Sequence, residues 1–137
     1  MSAATPSEVK DGLKVRIETI PGLRAFDYQP DQVNPPFAFP TLDEIRYHQT
    51  GMGSGGVVMD FTVTVVVYRQ SERVAQDELD KYTAFSGAQS VRAAIEADRT
   101  LGGVCDDLIV GSSSNFTSLD ANDTLYLTMD FKVTVYA

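Results

Sequence analysis

The chain has 137 residues, of which 43% are hydrophobic and 22% charged, a composition typical of one globular domain. Its formal net charge of −8, from 19 acidic against 11 basic residues, disfavours a conventional nucleic-acid-binding protein, because such proteins contact phosphates through clustered Lys and Arg. No apolar stretch approaches the roughly 20 residues of a membrane-spanning helix, and the first residues lack the basic and apolar regions of a secretory signal. We therefore expect a protein that folds in a cytoplasm.

The first predicted element is a helix over residues 5–20. Thr5 is a suitable N-cap, Pro6 suits the first helical position, and Glu8 completes a capping box. Apolar residues recur at helical spacing and predict one buried face, formed by Val9, Leu13, Ile17 and Ile20. A Pro-Gly pair follows and ends the helix.

A short strand is predicted over residues 23–28, and a proline-rich segment follows it. Three prolines within six residues remove backbone donors, so the stretch from Asn34 to Pro40 is predicted to be an extended edge or loop rather than a central strand. Phe37 and Phe39 lie in this stretch. Two interpretations stay open for these rings, namely packing beneath the sheet or contact with a partner.

Two nearly identical phrases, MDFTVTVVVY from Met59 and MDFKVTVYA from Met129, predict two strands. In both, every second residue is apolar, with Phe61 and Phe131 in equivalent places, and the residues between them are mostly Asp, Thr or Lys. The flanking sequences do not match, so the echo indicates two strands of one sheet rather than a duplication. We expect helices to cover the apolar face and the polar face to stay uncovered.

The other elements complete an α+β order. The sequence predicts a strand over residues 42–49, a flexible glycine-rich hairpin tip over 50–56, a helical pair over 71–99 and a terminal strand pair over 104–136, with a polar turn around 119–122. The fold class predicted for residues 1–137 is a single α+β domain, a mostly antiparallel sheet with helices packed on one face.

Residue types that carry catalysis are sparse. His48 is the one histidine and Cys105 the one cysteine, so the spacing indicates no nucleophile–histidine–acid set and no cysteine-based metal site or disulfide. Residues 51–56 superficially resemble a phosphate loop, but they lack a lysine and lead into a strand rather than a helix. We expect no enzymatic activity, no cofactor and no metal.

Three segments carry a resemblance to a known family. They are PGLRAFDYQPDQVNPP after the first helix, YRQSERVAQDELDKYTA after the long strand, and SVRAAIEADRTLGG before the terminal strand pair. With them, almost the whole chain resembles the tail terminator proteins of long-tailed, siphovirus-type actinobacterial phages, which are loosely grouped with head-to-tail connector proteins. The most specific pieces, AQDELDKY and AAIEADRTLGG, are scaffold motifs rather than catalytic ones.

The resemblance implies a virion protein of the neck, at the top of the tail, that is assembled in the host cytoplasm. Such a subunit forms a homohexameric ring that caps the tail tube protein, ends tube polymerisation and meets a head completion or connector protein. DNA passes through the lumen without specific binding, and no membrane is involved. Two alternatives stay open: a head-side connector or stopper of the same neck, and a small soluble ligand-binding or regulatory domain, which needs a concave apolar pocket.

Contacts with neighbouring subunits or partners are predicted where a monomer core cannot readily use the side chains. The proline-rich segment is extended and aromatic, the glycine-rich tip has few side chains to order it, and three arginines can pair with acidic patches. The candidate interface residues are Asn34, Pro35, Pro36, Phe37, Phe39, Gly51, Met52, Gly53, Ser54, Gly55, Gly56, Arg69, Arg73 and Arg92.

Overall fold

A computed structural model describes residues 5–20, 23–26, 37–47, 57–69, 77, 80–105, 107–121 and 124–136. These residues form two bounded helices, α1 (Pro6–Ile17) and α2 (Val91–Glu96), and five strands, β1 (Arg24–Ala25), β2 (Phe37–Tyr47), β3 (Val57–Arg69), β4 (Asp107–Ala121) and β5 (Thr124–Tyr136). Asp77 and residues 80–83 are helical as well. The predicted α+β fold class is confirmed. Within these segments, no helix combines the length and apolar character needed to cross a membrane.

The strands form one sheet in the order β1-β2-β3-β5-β4. The four long strands are antiparallel to their neighbours, whereas β1 pairs in parallel with Phe37 and Ala38. The two strands that carry the repeated phrase are adjacent, with Met59 opposite Val135 and Phe61 opposite Val133. The echo is therefore two neighbouring strands of one sheet, as predicted.

The helices cover one face of this sheet. Phe61 and Phe131 are 0% and 2% exposed and belong to a single buried cluster. The helical members of that cluster are Val9, Leu13, Ile17, Tyr82, Val91 and Ile95. Burying a large apolar side chain stabilises a fold by about 1.5–3 kcal/mol, so the predicted covering of the apolar face is confirmed and provides the main core.

α1 begins as the sequence predicts. The Thr5 hydroxyl accepts a hydrogen bond from the Glu8 backbone N–H (3.3 Å), and the Glu8 carboxylate accepts one from the Thr5 backbone N–H (3.1 Å). This reciprocal capping box satisfies N–H groups that have no partner inside the helix. The regular helix ends at Ile17, and Ile20, in the turn that follows, is still buried.

α2 is shorter than its part of the predicted helical pair. Its N-cap is Ser90, and it ends at Glu96. Asp98 explains the early end, because its carboxylate accepts hydrogen bonds from the backbone N–H groups of Thr100 (3.2 Å) and Gly102 (2.9 Å), which offers the backbone an alternative to the helix. A tight turn follows in place of a further helical turn.

β2 includes the described part of the proline-rich segment, residues 37–40, which is extended as predicted but belongs to a regular strand. It begins at Phe37 and is the second strand of the sheet. The Ala38 carbonyl accepts a hydrogen bond from the Phe26 N–H (2.9 Å), so the polar groups of Ala38 lie on the outer side of β2. Alternation along the strand places Pro40 on that outer side too, where its missing N–H breaks no bond to β3. Pro40 therefore fits inside a strand.

The terminal strands also run further than predicted. β4 extends to Ala121, into the turn predicted around residues 119–122, since Leu119 pairs with Tyr126 and Ala121 with Thr124. The short strand predicted over residues 23–28 is reduced to β1 within the described residues. The predicted tip, residues 50–56, lies outside the described residues, between the antiparallel β2 and β3.

Candidate interaction surface

The sheet face opposite the helices carries most of the polar strand residues. Strand alternation and register place them side by side on three neighbouring strands. We call this set the polar face, and its members are Asp43, Glu44 and Arg46 of β2, Asp60, Thr62 and Thr64 of β3, and Asp130, Lys132 and Thr134 of β5.

Asp60 is the centre of one cross-strand group on the polar face. It forms an ion pair with Arg46 and accepts a hydrogen bond from the Thr134 hydroxyl (3.3 Å). Arg46 also contacts Glu44 (3.1 Å). The hydrogen bond to Asp60 is the main reason why the pKa of Arg46 is raised above its ordinary value. These bonds link β2, β3 and β5 through their side chains.

A second group is built on Thr62, which is 7% exposed. Its hydroxyl donates to Asp43 and accepts a hydrogen bond from Lys132 Nζ (2.9 Å), while Lys132 lies 3.6 Å from the Asp43 carboxylate. One step along the sheet, the Thr64 hydroxyl donates to Asp130 (3.0 Å). The side chains of the polar face are thus held in place by their neighbours.

The polar face is acidic and partly open to solvent. Its four carboxylates, on Asp43, Glu44, Asp60 and Asp130, face two cations, on Arg46 and Lys132. The side chains of Lys132 and Glu44 are 49% and 60% exposed, so solvent and partners can reach this surface. A ligand approaching it meets an excess of negative charge.

The other end of the same sheet face is apolar. Phe37 and Phe39 are 2% and 8% exposed, and Val66 beneath them is fully buried. The rings of Phe37 and Phe39 stack at 6.1 Å between centroids, and Phe26 meets Phe37 edge-on at 6.0 Å. We call these four residues the aromatic cluster. Aromatic pairs of this kind add stability beyond their buried area.

The aromatic cluster corrects two predictions. Phe37 and Phe39 were candidate interface residues, but they pack within the chain and do not offer their rings to a neighbour, so the alternative of packing against the sheet is the right one. The expectation that this whole sheet face is uncovered was also wrong, because the cluster buries the end near Val66. The exposed part is the polar face.

Arg92 is the candidate arginine whose side chain the structure describes. Its guanidinium lies 3.8 Å from the ring centroid of Phe85, donates through Nε to the Phe85 carbonyl (2.8 Å) and forms an ion pair with Glu96. Phe85 itself is 77% exposed. Sequence reasoning missed this ring, although an aromatic residue at the end of the first helix of the predicted pair, directly before Ser-Gly, was a usable signal.

The remaining candidates are only partly placed. Arg69 ends β3 in register with Tyr126. Arg73 lies outside the described residues, as does His48. The same holds for the candidates of residues 34–36 and 51–56. The structure therefore neither gathers these residues into one patch nor separates them.

A ligand-binding domain would need a pocket with convergent free polar groups. The cleft between α1 and the turn after α2 has a volume of about 360 Å³ and includes Arg16 and Asp98. Arg16 Nε already donates to the Ala94 carbonyl (3.1 Å). Hydrogen bonds, first from the Thr100 hydroxyl and then from its backbone N–H, lower the pKa of Asp98. Arg16 through Nε and Asp98 through its carboxylate thus already have partners within the chain. Among the described residues, no group of three or more His, Cys, Asp or Glu side chains is placed to hold a metal ion.

No protein-family model matches the chain, and no curated protein matches it in a sequence search. The function therefore has to be inferred from the chemistry of the polar face and from the resemblance carried by the three sequence segments.

Proposed function

We propose that this chain is a tail terminator subunit of a long-tailed phage, a structural rather than a catalytic protein. Six copies form a ring that caps the tail tube, ends its polymerisation and makes the joint to the head. The proposal is supported by the resemblance of the three scaffold segments and by a matching architecture, a small α+β domain with helices on one sheet face only.

The polar face is the observation that carries the proposal furthest. Its side chains are joined by hydrogen bonds across β2, β3 and β5. Little side-chain conformational entropy therefore remains to be lost when this surface lines a channel. Its excess of carboxylates repels phosphate and disfavours binding to DNA. We place this face toward the lumen, where DNA has to pass without being held.

Partner contacts then fall on surfaces away from the polar face. Phe85, which is exposed, and Arg92, which is partly buried, form an aromatic–arginine pair. Aromatic residues and Arg are enriched in protein interfaces. We propose that this pair contacts a neighbouring subunit, the tube protein or the head completion protein.

The test is electron microscopy of lysates in which the gene carries an amber mutation. A terminator predicts overlong tails without heads, because tube polymerisation is not stopped. Tails of normal length that fail to join heads would instead indicate the connector alternative. Intact, infectious virions would contradict both and favour a small ligand-binding or regulatory domain.

A further inference from the structure

β4 is the outermost strand of the sheet, and its outer edge is occupied by side chains. Leu108 and Val110 direct backbone groups outward, away from β5. Glu96 Oε2 accepts a hydrogen bond from the Val110 N–H (2.8 Å), and Arg99 Nε donates to the Leu108 carbonyl (3.2 Å). A strand edge ordinarily leaves such groups open to pairing with another chain.

Asp107 completes this arrangement. Its carboxylate accepts a hydrogen bond from the Leu108 N–H (2.9 Å) and binds Arg99 through two contacts, of 2.8 and 3.0 Å. Glu96 is held in turn by its ion pair with Arg92. Three outward backbone groups of β4 are thus satisfied by side chains that are themselves fixed. We call Glu96, Arg99 and Asp107 the edge guards.

The guarded groups are the ones that a second copy of β4 would use. In an antiparallel pair, residues of a hydrogen-bonded pair exchange N–H and C=O bonds. With a two-fold axis beside Ile109, Leu108 of one copy lies opposite Val110 of the other. The Val110 N–H and the Leu108 carbonyl would then bond to each other across the axis.

We propose that the edge guards prevent β4 from pairing with β4 of a second copy. Ile109 supports this choice of partner, because its side chain is 41% exposed and would face its own counterpart across the axis. The outer edge of β2 is a poorer partner, since it carries Pro40 and an irregularity between Leu42 and Glu44. This inference does not depend on the proposed role in a phage tail.

A disulfide across the axis tests the proposal. Directly opposed residues of a non-hydrogen-bonded antiparallel pair have Cα atoms about 4.5 Å apart, which a disulfide can bridge. Ile109→Cys is made in a chain with Cys105→Ala, with and without Glu96→Ala and Arg99→Ala. Non-reducing electrophoresis then measures the covalent dimer formed under mild oxidation.

We expect Glu96→Ala with Arg99→Ala, which leaves Asp107 in place, to raise the dimer fraction at least tenfold while the dimer is the minor species, because each lost backbone-capping hydrogen bond represents up to about tenfold. Glu44→Ala with Arg46→Ala removes a matched ion pair from β2, without freeing β4, and should leave the fraction unchanged. If the double guard variant does not fold, Glu96→Ala alone should raise the fraction, whereas Glu96→Gln, which keeps an acceptor, should not. Equal dimer formation with and without Glu96→Ala and Arg99→Ala would overturn the proposal.

Discussion

Gly12 gives a prediction whose sign depends on one tertiary contact. It lies within α1, where glycine is ordinarily less favourable than alanine. A Cβ atom at this position would come 2.9 Å from Leu101 Cβ and 3.2 Å from Leu101 Cδ1. Gly12 therefore allows the turn after α2 to approach α1 closely.

The two effects can be compared in size. Replacing a helical glycine by alanine stabilises a helix by about 1 kcal/mol, whereas overpacking a tight contact destabilises by about 1–3 kcal/mol. Leu101 cannot easily move, since it is 5% exposed, has φ of 51° and lies in the turn held by Asp98. We expect Gly12→Ala to lower the free energy of unfolding by up to about 2 kcal/mol.

Urea denaturation of a double-mutant cycle measures this contact. In the Leu101→Gly background the close Cβ atom is absent, and glycine suits the positive φ, so Gly12→Ala should there stabilise by about 1 kcal/mol. The sign of the Gly12→Ala effect thus reverses between the two backgrounds. Stabilisation by Gly12→Ala in the wild-type chain would show that the contact with Leu101 does not require glycine at this position.

Three further predictions concern the core, the first cap and acid stability. Phe61→Ala should lower the free energy of unfolding by about 3–5 kcal/mol, whereas Thr64→Ala, on the opposite face of β3, should have a much smaller effect in the same denaturation assay. Thr5→Ala should cost about 1 kcal/mol and reduce helical circular dichroism. Because the pKa of Asp98 is lowered in the folded protein, the ionised carboxylate stabilises the fold fully at pH values above the ordinary pKa of 3.8. This stabilisation is lost as the pH falls through the lower pKa of the folded state. In the Asp98→Asn variant, the melting temperature should therefore depend less on pH in that acid range.

Local signals predicted much of the fold. The capping box at Thr5 depends on residues within one helical turn, and the alternation around Phe61 and Phe131 depends on single strands. Both patterns report directly on the backbone geometry that produces them. The two neighbouring strands and the helix-covered face followed from those patterns.

The features that the sequence did not predict depend on pairing between strands that are distant in the sequence. The prolines favoured an extended edge or a loop over a central strand, and Pro40 lies within β2 on its outer side, which the bond from Phe26 to Ala38 reveals. Likewise, Phe37 lies opposite Val66 of the neighbouring strand β3 and packs against it. In both cases the register of the sheet overrode local propensity.

The candidate surfaces were less predictable than the fold. The alternation of the repeated strands indicated the polar face, but its cross-strand bonds depend on register. The edge guards depend on α2 and its following turn lying beside β4, as the bond from Val110 to Glu96 shows. A contact between residues that are 14 apart in sequence and on different elements has no local signature.

The proposed ring and the orientation of its polar face can be seen directly in a single-particle electron microscopy reconstruction of the purified, assembled protein. We expect a six-fold ring in which the polar face, with Asp60 and Asp130, lines the lumen, while Phe85 and Arg92 meet another subunit or a ring end. A protein that stays monomeric at high concentration, or a ring whose polar face is directed away from the lumen, would contradict this expectation.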